Sequence, residues 1–367
     1  MSDQVAIAVD AMGGDNAPDV VLEGCTEALR ADSSLKIFLC GPAEVVEPYA
    51  EQHDRCEAVV TTQVIDMGEH PAQAVRKKKD SSLVVACRLV KEGKAQGFFS
   101  AGSTGACLAA ATLVMGRIKG VARPCLTTVI PSPVRPVIMG DVGANADCKP
   151  EYLVQFAYMG TLYAQRILNI ENPRVALLNI GEEETKGSTF AQEVHGLLRE
   201  QVPNFVGNAE GRDLLEANFD VFVTDGFTGN VTLKTIEGTV KVLFSSLKKV
   251  FMSSPITKIG ALTVKSGLKD LKDGIDPDTY GGAPLLGVKG GCIIGHGSSN
   301  AYAVKNGIGM SARFVRTGIV ESIEQVLREA AEAQAQREAE CTVQEEAWQG
   351  VADEQVTADP AAQEDAQ

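Results

Sequence analysis

Short apolar runs typical of buried β-strands alternate along the chain with longer amphipathic segments typical of helices. The alternation predicts an α/β fold, in which a mainly parallel sheet is covered by helices on both faces. The strand-like runs are residues 4–12, 35–41, 56–64, 97–99, 125–131, 137–142, 174–180, 221–224 and 291–294. The helical segments are residues 18–30, a stretch from 42, 71–93, 108–118, 150–168, a stretch through 199, 240–251, 256–271 and 313–340.

Glycine and polar residues cluster where six of the predicted strands end. Ligands of such sheets bind beyond the carboxyl ends of the strands. Aspartate or asparagine beside glycine is also a common turn former, so any one of these loops could be a turn and nothing more. Six of them together favour a shared ligand pocket. The loops are residues 13–18, 100–107, 141–147, 181–188, 225–230 and 295–300.

Residues 100–107, read as SAGSTGAC, follow an apolar run and precede a helical pattern. A strand that ends in this way and opens a helix collects free N–H groups and the positive end of the helix dipole at one point. Such a point binds phosphate or carboxylate, although a tight turn with Ser103 or Thr104 as N-cap is the simpler alternative. The loop lacks the P-loop lysine, which argues against a nucleoside triphosphate. The candidate phosphate-binding residues here are Gly102, Ser103, Thr104 and Gly105.

Two residues in these loops are the main candidates for chemistry. His296 lies at a strand end between glycines and is the best candidate for a general acid, base or hydrogen-bond donor, with a structural turn histidine as the alternative. Lys186 follows three glutamates and could complete an anion pocket, unless it is a solvated lysine paired with Glu182 or Glu183. Further polar candidates at strand ends are Asp15, Asn145, Asp225, Asn230 and Ser298.

Composition and charge exclude several classes of protein. The 367 residues carry a net charge of −14, of which −9 lies after residue 331, and a mildly acidic remainder argues against nucleic-acid binding. The nine cysteines form no CxxC pair, so a reduced, cytoplasmic protein without disulfides or a zinc site is expected. No signal peptide and no membrane span are expected. Oxygen ligands at the strand ends could bind a divalent cation, but no metal-ligand spacing supports one.

A basic amphipathic excursion interrupts the catalytic domain, which is predicted to span residues 1–330. Residues 238–275 contain the excursion, and seven lysines but only one acid, Asp270, lie between positions 241 and 272. This pattern indicates a helical hairpin that contacts a membrane surface or an acidic partner, or one that packs on the core or a dimer mate. The residues expected to make the contact are Lys248, Lys249, Phe251 and Ile256. Residues 341–367 form an acidic tail that is predicted to be disordered.

The loops, taken together and in order, resemble a known family. VDAMGGDNAP, SAGSTGA, GDVGAN, NIGEEETKG, TDGFTGN and GGAPLLGVKG followed by HGSS are similar to the motifs of the bacterial phosphate acyltransferases of phospholipid synthesis, over roughly residues 4–330. The resemblance implies a fold like those of the isocitrate and isopropylmalate dehydrogenases and the phosphotransacetylases. It implies transfer of an acyl group from acyl-carrier protein to inorganic phosphate, without a cofactor. It also implies a homodimer that associates peripherally with the membrane.

This chemistry suits the residues at the strand ends. Gly102 to Gly105 and Lys186 would hold the phosphate, and His296 or Asn230 would donate to the developing oxyanion. Three alternatives remain at this point. They are a phosphotransacetylase acting on acyl-CoA, a nicotinamide-dependent dehydrogenase of the related fold, and a membrane-associated acyl-binding protein without catalysis.

Overall fold

The computed structural model describes residues 4–132 and 134–337. Within this part of the chain, eleven β-strands form one sheet with helices on both faces, as predicted. The strands are β1 (Val5–Asp10), β2 (Leu35–Gly41), β3 (Cys56–Val60), β4 (Gly97–Ser100), β5 (Cys125–Ile130), β6 (Val137–Gly140), β7 (Val175–Leu178), β8 (Phe205–Ala209), β9 (Val221–Val223), β10 (Ala283–Leu286) and β11 (Gly291–Ile294). The helices are α1 (Asp19–Ala31), α2 (Ala43–Glu51), α3 (Pro71–Lys77), α4 (Ser82–Lys91), α5 (Thr104–Ala110), α6 (Pro150–Arg166), α7 (Thr189–Gln201), α8 (Asp213–Glu216), α9 (Gly226–Phe251), α10 (Pro255–Gly274) and α11 (Ala301–Arg316).

Strand β4 shows how the apolar runs build the core. Its four residues are all buried, as expected for a strand with helices on both sides. Phe98 packs in the core that contains α4 and α5, whereas Phe99 packs in the core that contains α1 and α11. Successive side chains of a strand point to opposite faces, so two adjacent phenylalanines bind both helical layers to the sheet.

The strand order is β3-β2-β1-β4-β11-β10-β5-β6-β9-β7-β8. Strands β1, β4 and β11 are parallel, and β6, β9 and β7 are parallel to one another. Between these two sets, β10 is antiparallel to β11 and to β5, and β5 is antiparallel to β6. The three reversals place the carboxyl ends of the two sets at opposite edges of the sheet. We call the carboxyl ends of β1, β4 and β11 the first edge, and those of β6, β9 and β7 the second edge.

Two segments that were predicted as single helices are each divided in the structure. The segment 71–93 is two helices, because Ser82 N donates to Gln63 O at 3.2 Å and holds the chain between α3 and α4 against residue 63. The segment 313–340 is also divided: α11 ends at Arg316, and Gly318 has a φ of +62°, a conformation that ends helices. Residues 319–337 are helical again. The pattern also missed β8 and β10, which are short.

The unit that carries the sheet extends to Glu324, and residues 325–337 of a second unit are helical. The predicted pair of helices is present as α9 and α10, with a break at residues 252–254, but α9 begins at Gly226 and not at residue 240, so the segment 226–230 is helical and not a loop. The predicted acidic tail, residues 341–367, lies outside the described residues. In the described part of the chain, no helix combines the length and the hydrophobicity that crossing a bilayer requires.

Candidate active site

Three loops meet at the first edge and are joined by short hydrogen bonds. Asp15 N donates to Gly297 O at 2.7 Å, which joins the loop after β1 to the loop after β11. Gly295 N donates to Ser100 O at 2.9 Å, which joins the loop after β11 to the end of β4. The sequence-predicted residues Asp15, Ser298 and His296 therefore lie beside the SAGSTGAC turn.

A buried carboxyl group lies beneath the SAGSTGAC turn. Ser100 Oγ donates to Asp10 Oδ2 at 2.8 Å and accepts from Gly102 N at 3.0 Å. A Cβ atom at Gly13 would lie only 2.6 Å from Ser100 Oγ, so the loop after β1 can approach the turn this closely only with glycine there. Burial raises the pKa of Asp10. Sequence reasoning did not single out Asp10 or Ser100 as positioning residues, although both end buried strands.

The turn itself opens α5, which continues into a π-helical turn at Ala111–Met115. Ser103 is the N-cap residue, but its side chain makes no capping hydrogen bond, and Thr104 is exposed. Neither hydroxyl is therefore used to cap the helix. The N–H groups of the first helical turn have no intrahelical acceptor, so they can donate to an anion.

Cys107, the cysteine that ends the SAGSTGAC motif, is not a nucleophile. Cys107 is fully buried, and burial raises the pKa of its thiol to about 12. A thiol with so high a pKa is protonated at neutral pH and unreactive.

The His296 ring has a defined hydrogen-bonding pattern. Ser298 N donates to His296 Nδ1 at 3.2 Å, and Ser298 Oγ lies 2.8 Å from the same nitrogen. Because a backbone N–H can only donate, Nδ1 accepts, and the neutral ring carries its proton on Nε2. The side chain is exposed at the first edge. His296 is thus prepared to donate a hydrogen bond from Nε2.

A second carboxyl group lies behind His296. Asn300 Nδ2 donates to Asp278 Oδ2 at 2.7 Å, while Asn300 Oδ1 caps α11 by accepting from Ala303 N at 2.9 Å. Burial, followed by the nearby Asp276 carboxylate, raises the pKa of Asp278. This contact connects the segment after the hairpin to the loop that carries His296. No feature of the sequence pattern had indicated it.

At the second edge, a buried aspartate organises the loop after β6. The Asp141 carboxylate accepts from Leu126 N, Gly143 N and Ala144 N through Oδ1, and from both the N and Nδ2 of Asn145 through Oδ2, at 2.7 to 3.2 Å. Burial raises the pKa of Asp141, and these donors oppose that effect. The predicted site residue Asn145 is held rigidly by this network, and its Nδ2 also donates to Pro124 O at 2.7 Å.

The loop after β9 leads directly into α9. Both carboxylate oxygens of Asp225 accept from Thr228, one from its N–H at 2.8 Å and the other from its hydroxyl at 2.7 Å, so Asp225 is an N-cap. Asn230 lies one turn further on and is exposed. A Cβ atom at Gly143 would lie 3.6 Å from Asn230 Cγ, so the Asn230 amide lies against the loop that Asp141 organises.

Lys186 lies at the same edge, in the loop after β7. Its Nζ is 3.8 Å from Glu183 Oε1, too far for a hydrogen bond, and the side chain is about half exposed. The backbone holds the turn in place: Lys186 N and Asn208 Nδ2 both donate to Glu183 O, at 3.0 and 2.8 Å. Asn179 Nδ2 donates to Lys186 O at 3.2 Å. The ammonium group therefore lies on a fixed turn in an ion pair with Glu183, as the alternative interpretation of Lys186 expected, and its half-exposed side chain can also reach an anion.

The six loops do not lie at one edge of the sheet, whereas the sequence pattern favoured one pocket shared by all of them. The loops of His296, Asp15 and SAGSTGAC lie at the first edge, and those of Asn145, Asn230 and Lys186 at the second. The physical reason is the antiparallel pair β10 and β5, which the sequence pattern did not reveal. Within residues 4–132 and 134–337, no three metal-ligating side chains are grouped together.

The helical hairpin exposes both apolar and basic side chains. Ile256, Ile259 and Leu262 of α10 are 82%, 66% and 70% exposed. Lys248 and Lys249 are exposed in the last turn of α9, whereas Phe251 is half-buried. The predicted contact residues thus lie close to the break between the two helices.

The fold is that of the phosphotransacetylases, as the sequence resemblance implied. A phosphotransacetylase from Streptococcus pyogenes superposes with a TM-score of 0.57 at 15% identity, covering 86% of this chain and 95% of its own. A branched-chain phosphotransacylase from Enterococcus faecalis V583 has a TM-score of 0.54 at 15% identity, covering 85% and 99%.

Sequence relatives identify the family. The family model described as "Fatty acid synthesis protein" matches residues 5–322. A phosphate acyltransferase from Desulfitobacterium hafniense (strain Y51) is 48% identical over 325 residues, covering 88% of this chain and 97% of the relative. A phosphate acyltransferase from Clostridioides difficile (strain 630) is 45% identical over 326 residues, covering 88% and 96%. This chain belongs to the phosphate acyltransferase family and is an acyltransferase enzyme.

Proposed function

We propose that the enzyme transfers the acyl group of an acyl-carrier-protein thioester to inorganic phosphate, releasing acyl phosphate and the free carrier thiol for phospholipid synthesis. The observation that carries the proposal is the first edge, where the amide groups that open α5 lie beside a histidine with its proton on Nε2. The first feature suits a phosphate dianion and the second an oxyanion.

The reaction needs few groups. A phosphate oxygen attacks the thioester carbonyl carbon, the carbonyl becomes a tetrahedral oxyanion, and its collapse breaks the C–S bond. The electron pair leaves on sulfur as a thiolate, which is a good leaving group because a free thiol has a pKa near 8.5. Neither a metal nor an organic cofactor enters this scheme. Holding phosphate against the thioester supplies much of the rate enhancement, up to roughly 7–11 kcal/mol.

Each candidate residue has a role in this scheme. The N–H groups of Ser103, Thr104 and Gly105 bind phosphate, with the hydroxyls of Ser103, Thr104 and Ser298 available for additional hydrogen bonds. Gly102, the remaining candidate in this turn, donates its N–H to Ser100 Oγ and acts by holding the turn in place. Asp15 accepts from a protonated phosphate oxygen. Nε2 of His296 donates to the oxyanion. Lys186 and Asn230 bind the reacting groups from the second edge, Asn145 orders the loop behind Asn230, and Asp225 caps the helix on which Asn230 lies.

Opposite edges of one sheet can supply one site if two chains associate. In a two-fold dimer, the same surfaces of both chains meet, so the first edge of one chain can face the second edge of its partner. A homodimer of this kind would contain two complete sites, each with His296 from one chain and Lys186 from the other. The separation of these residues within one chain supports this arrangement.

The hairpin provides the contact with the membrane. An amphipathic helix with exposed isoleucine and leucine on one side and lysines on the other binds an anionic lipid surface without crossing it. Lys248, Lys249, Phe251 and Ile256 lie at the end of the hairpin that would touch the lipid. Association with the membrane from the cytoplasm would deliver an apolar product to a membrane-bound acceptor.

The second candidate function is phosphotransacetylase activity with acyl-CoA, which the structural likeness to phosphotransacetylases favours. The two candidates differ in the thioester used. Phosphate-dependent thiol release should be compared for a long-chain acyl-carrier protein and acetyl-CoA. A kcat/KM at least about tenfold higher for the carrier protein supports the proposal, and the reverse preference contradicts it.

A further inference from the structure

The longest acid-free part of the chain lies between Glu92 and Asp141. It contains five basic residues and no aspartate or glutamate, in a protein whose net charge is −14. Such a segregation of charge points to a local electrostatic function. The basic residues are Lys94, Arg117, Lys119, Arg123 and Arg135.

Three of these residues lie on one loop, residues 116–124, which also meets the turn between β10 and β11. Lys289 N donates to Gly116 O at 2.9 Å, and Ile118 N donates to Gly287 O at 3.0 Å. These bonds bring Lys289 beside Arg117. We call Arg117, Lys119, Arg123 and Lys289 the basic surface.

The four cations of the basic surface are exposed and form no ion pair with any described residue. Arg117 donates to the backbone carbonyls of Val121 and Ala122, and Arg123 lies over the Tyr152 ring, but their charges are not neutralised. Uncompensated charge on a rigid loop attracts an oppositely charged partner.

The loop is rigid and adjoins the second edge. Gln155 of α6 holds it by accepting from Ala122 N at 2.8 Å and donating to Gly120 O at 3.0 Å. The next residue after Arg123 is Pro124, whose carbonyl accepts from Asn145 Nδ2 at 2.7 Å. A partner bound to the basic surface would therefore lie directly beside the loop that contains Asn145.

The chemistry of the surface favours a protein over a lipid bilayer. The apolar side chains beside these cations, Ile118 and Val121 of the loop and Val288 of the turn between β10 and β11, are 4%, 5% and 1% exposed, so none of the three is available to insert between lipids. Peripheral helices need such apolar contacts, and the hairpin has them. A surface that offers charge alone matches an acidic protein face.

We propose that the basic surface is the docking surface for the carrier protein, which meets it through an acidic face and presents its acyl thioester to the second edge. This inference rests on the proposed function and makes it more specific, because it separates carrier docking from the lipid contact of the hairpin. Charge pairing at the basic surface also predicts that the carrier protein associates with the enzyme faster at low ionic strength.

The test compares two variants with the same change in net charge. One is Lys119→Glu/Arg123→Glu/Lys289→Glu. The control is Arg30→Glu/Lys77→Glu/Arg166→Glu, whose three cations are exposed on α1, α3 and α6. The measurements are the KM for a long-chain acyl-carrier protein, the Kd for that carrier by calorimetry, turnover of the same acyl group on free pantetheine, and partitioning onto anionic liposomes.

The first variant should raise the KM and the Kd for the carrier protein at least about tenfold and leave turnover of acyl-pantetheine unchanged, while the control stays within about twofold of wild type. Equal effects of both variants, or wild-type carrier binding by the first, would overturn the proposal. Loss of liposome binding by the first variant with an unchanged carrier Kd would also overturn it and assign the surface to lipid. A wild-type enzyme that binds the carrier through this surface without phosphate-dependent turnover would refute the proposed function alone.

Discussion

Ser100 and Asp10 join the ends of β4 and β1 inside the protein, where the serine hydroxyl donates to the carboxylate at 2.8 Å and accepts from Gly102 N at 3.0 Å. Both side chains are buried. One hydroxyl thus links a buried carboxyl group to the Gly102 amide, directly before the amides of the proposed phosphate cradle. The cradle is positioned by this contact, while its exposed hydroxyls stay available for ligand.

Ser100→Ala should remove the hydrogen bonds that hold the SAGSTGAC turn against the Asp10 carboxyl group. The substitution removes one donor to the Asp10 carboxyl group and leaves the Gly102 amide without its acceptor, which costs about 1–3 kcal/mol of folding stability. We expect the KM for phosphate to rise several-fold and the KM for the acyl carrier to stay near the wild-type value. Ser103→Ala is the matched control for folding stability alone, which should stay unchanged because the Ser103 side chain makes no capping hydrogen bond. Its hydroxyl is proposed to bind phosphate, so it is not a control for the KM. Denaturant titration and steady-state kinetics test both variants.

Asp10→Asn should change the dependence of stability on pH. Burial raises the pKa of Asp10 above its ordinary value of 3.8. The native state therefore holds this proton more tightly than the unfolded chain, and this contribution to stability is present below pH 3.8 and lost as the pH rises through the raised pKa. Asparagine lacks the titration, so the free energy of unfolding of wild type minus that of the variant should fall with rising pH. The measurement is a series of denaturant titrations of both proteins from pH 3.8 upward. A difference in the free energy of unfolding that stayed constant with pH would contradict the prediction.

Lys186→Ala and His296→Ala should each lower kcat/KM at least about tenfold without unfolding the protein, because each removes one group that binds the transition state. Glu183→Gln is the comparison variant, because it removes the ion-pair partner of Lys186 but keeps the ammonium group, so it should lower kcat/KM less than Lys186→Ala does. Wild-type rates in both alanine variants would refute these roles.

Mixing the two inactive variants tests the shared site. If each site takes Lys186 from one chain and His296 from the other, half of the sites in a mixed dimer are intact. Random pairing then restores about a quarter of wild-type activity. Activity that stays at the level of the separate variants would place both residues in one chain's site.

Lys248→Glu/Lys249→Glu should move the enzyme from anionic liposomes to the unbound fraction. Each basic residue near such a surface contributes about 1 kcal/mol, so reversing two has a large effect. Arg30→Glu/Arg166→Glu changes the net charge equally on other helices and should bind liposomes as wild type does. Equal partitioning of the two variants in sedimentation would count against the lipid contact.

Nine of the eleven strands and most of the helices were readable from the sequence, because buried parallel strands and amphipathic helices have distinct periods. The SAGSTGAC turn could also be assigned from the sequence, because its glycines and serines come directly after a short apolar run that is typical of a buried strand. The direction of the strands could not be read. β10 is short and contains Pro284, so its sequence did not indicate a strand. The change of strand direction at β10, which separates His296 from Lys186, was therefore not predicted.

The positioning residues were missed for a different reason. Asp10, Asp141 and Asn208 each act through contacts with residues distant in sequence, or with the backbone, which no local pattern reveals. Asp225 shows the opposite case, since an aspartate before a helix predicts an N-cap and the structure contains one.

The most direct test follows radiolabelled inorganic phosphate in a reaction with a long-chain acyl-carrier protein. The proposed reaction predicts that label enters acyl phosphate in the same amount as free carrier thiol appears, and that neither forms when phosphate is omitted. Thiol release without incorporation of label would mean hydrolysis, and would contradict attack by phosphate on the thioester.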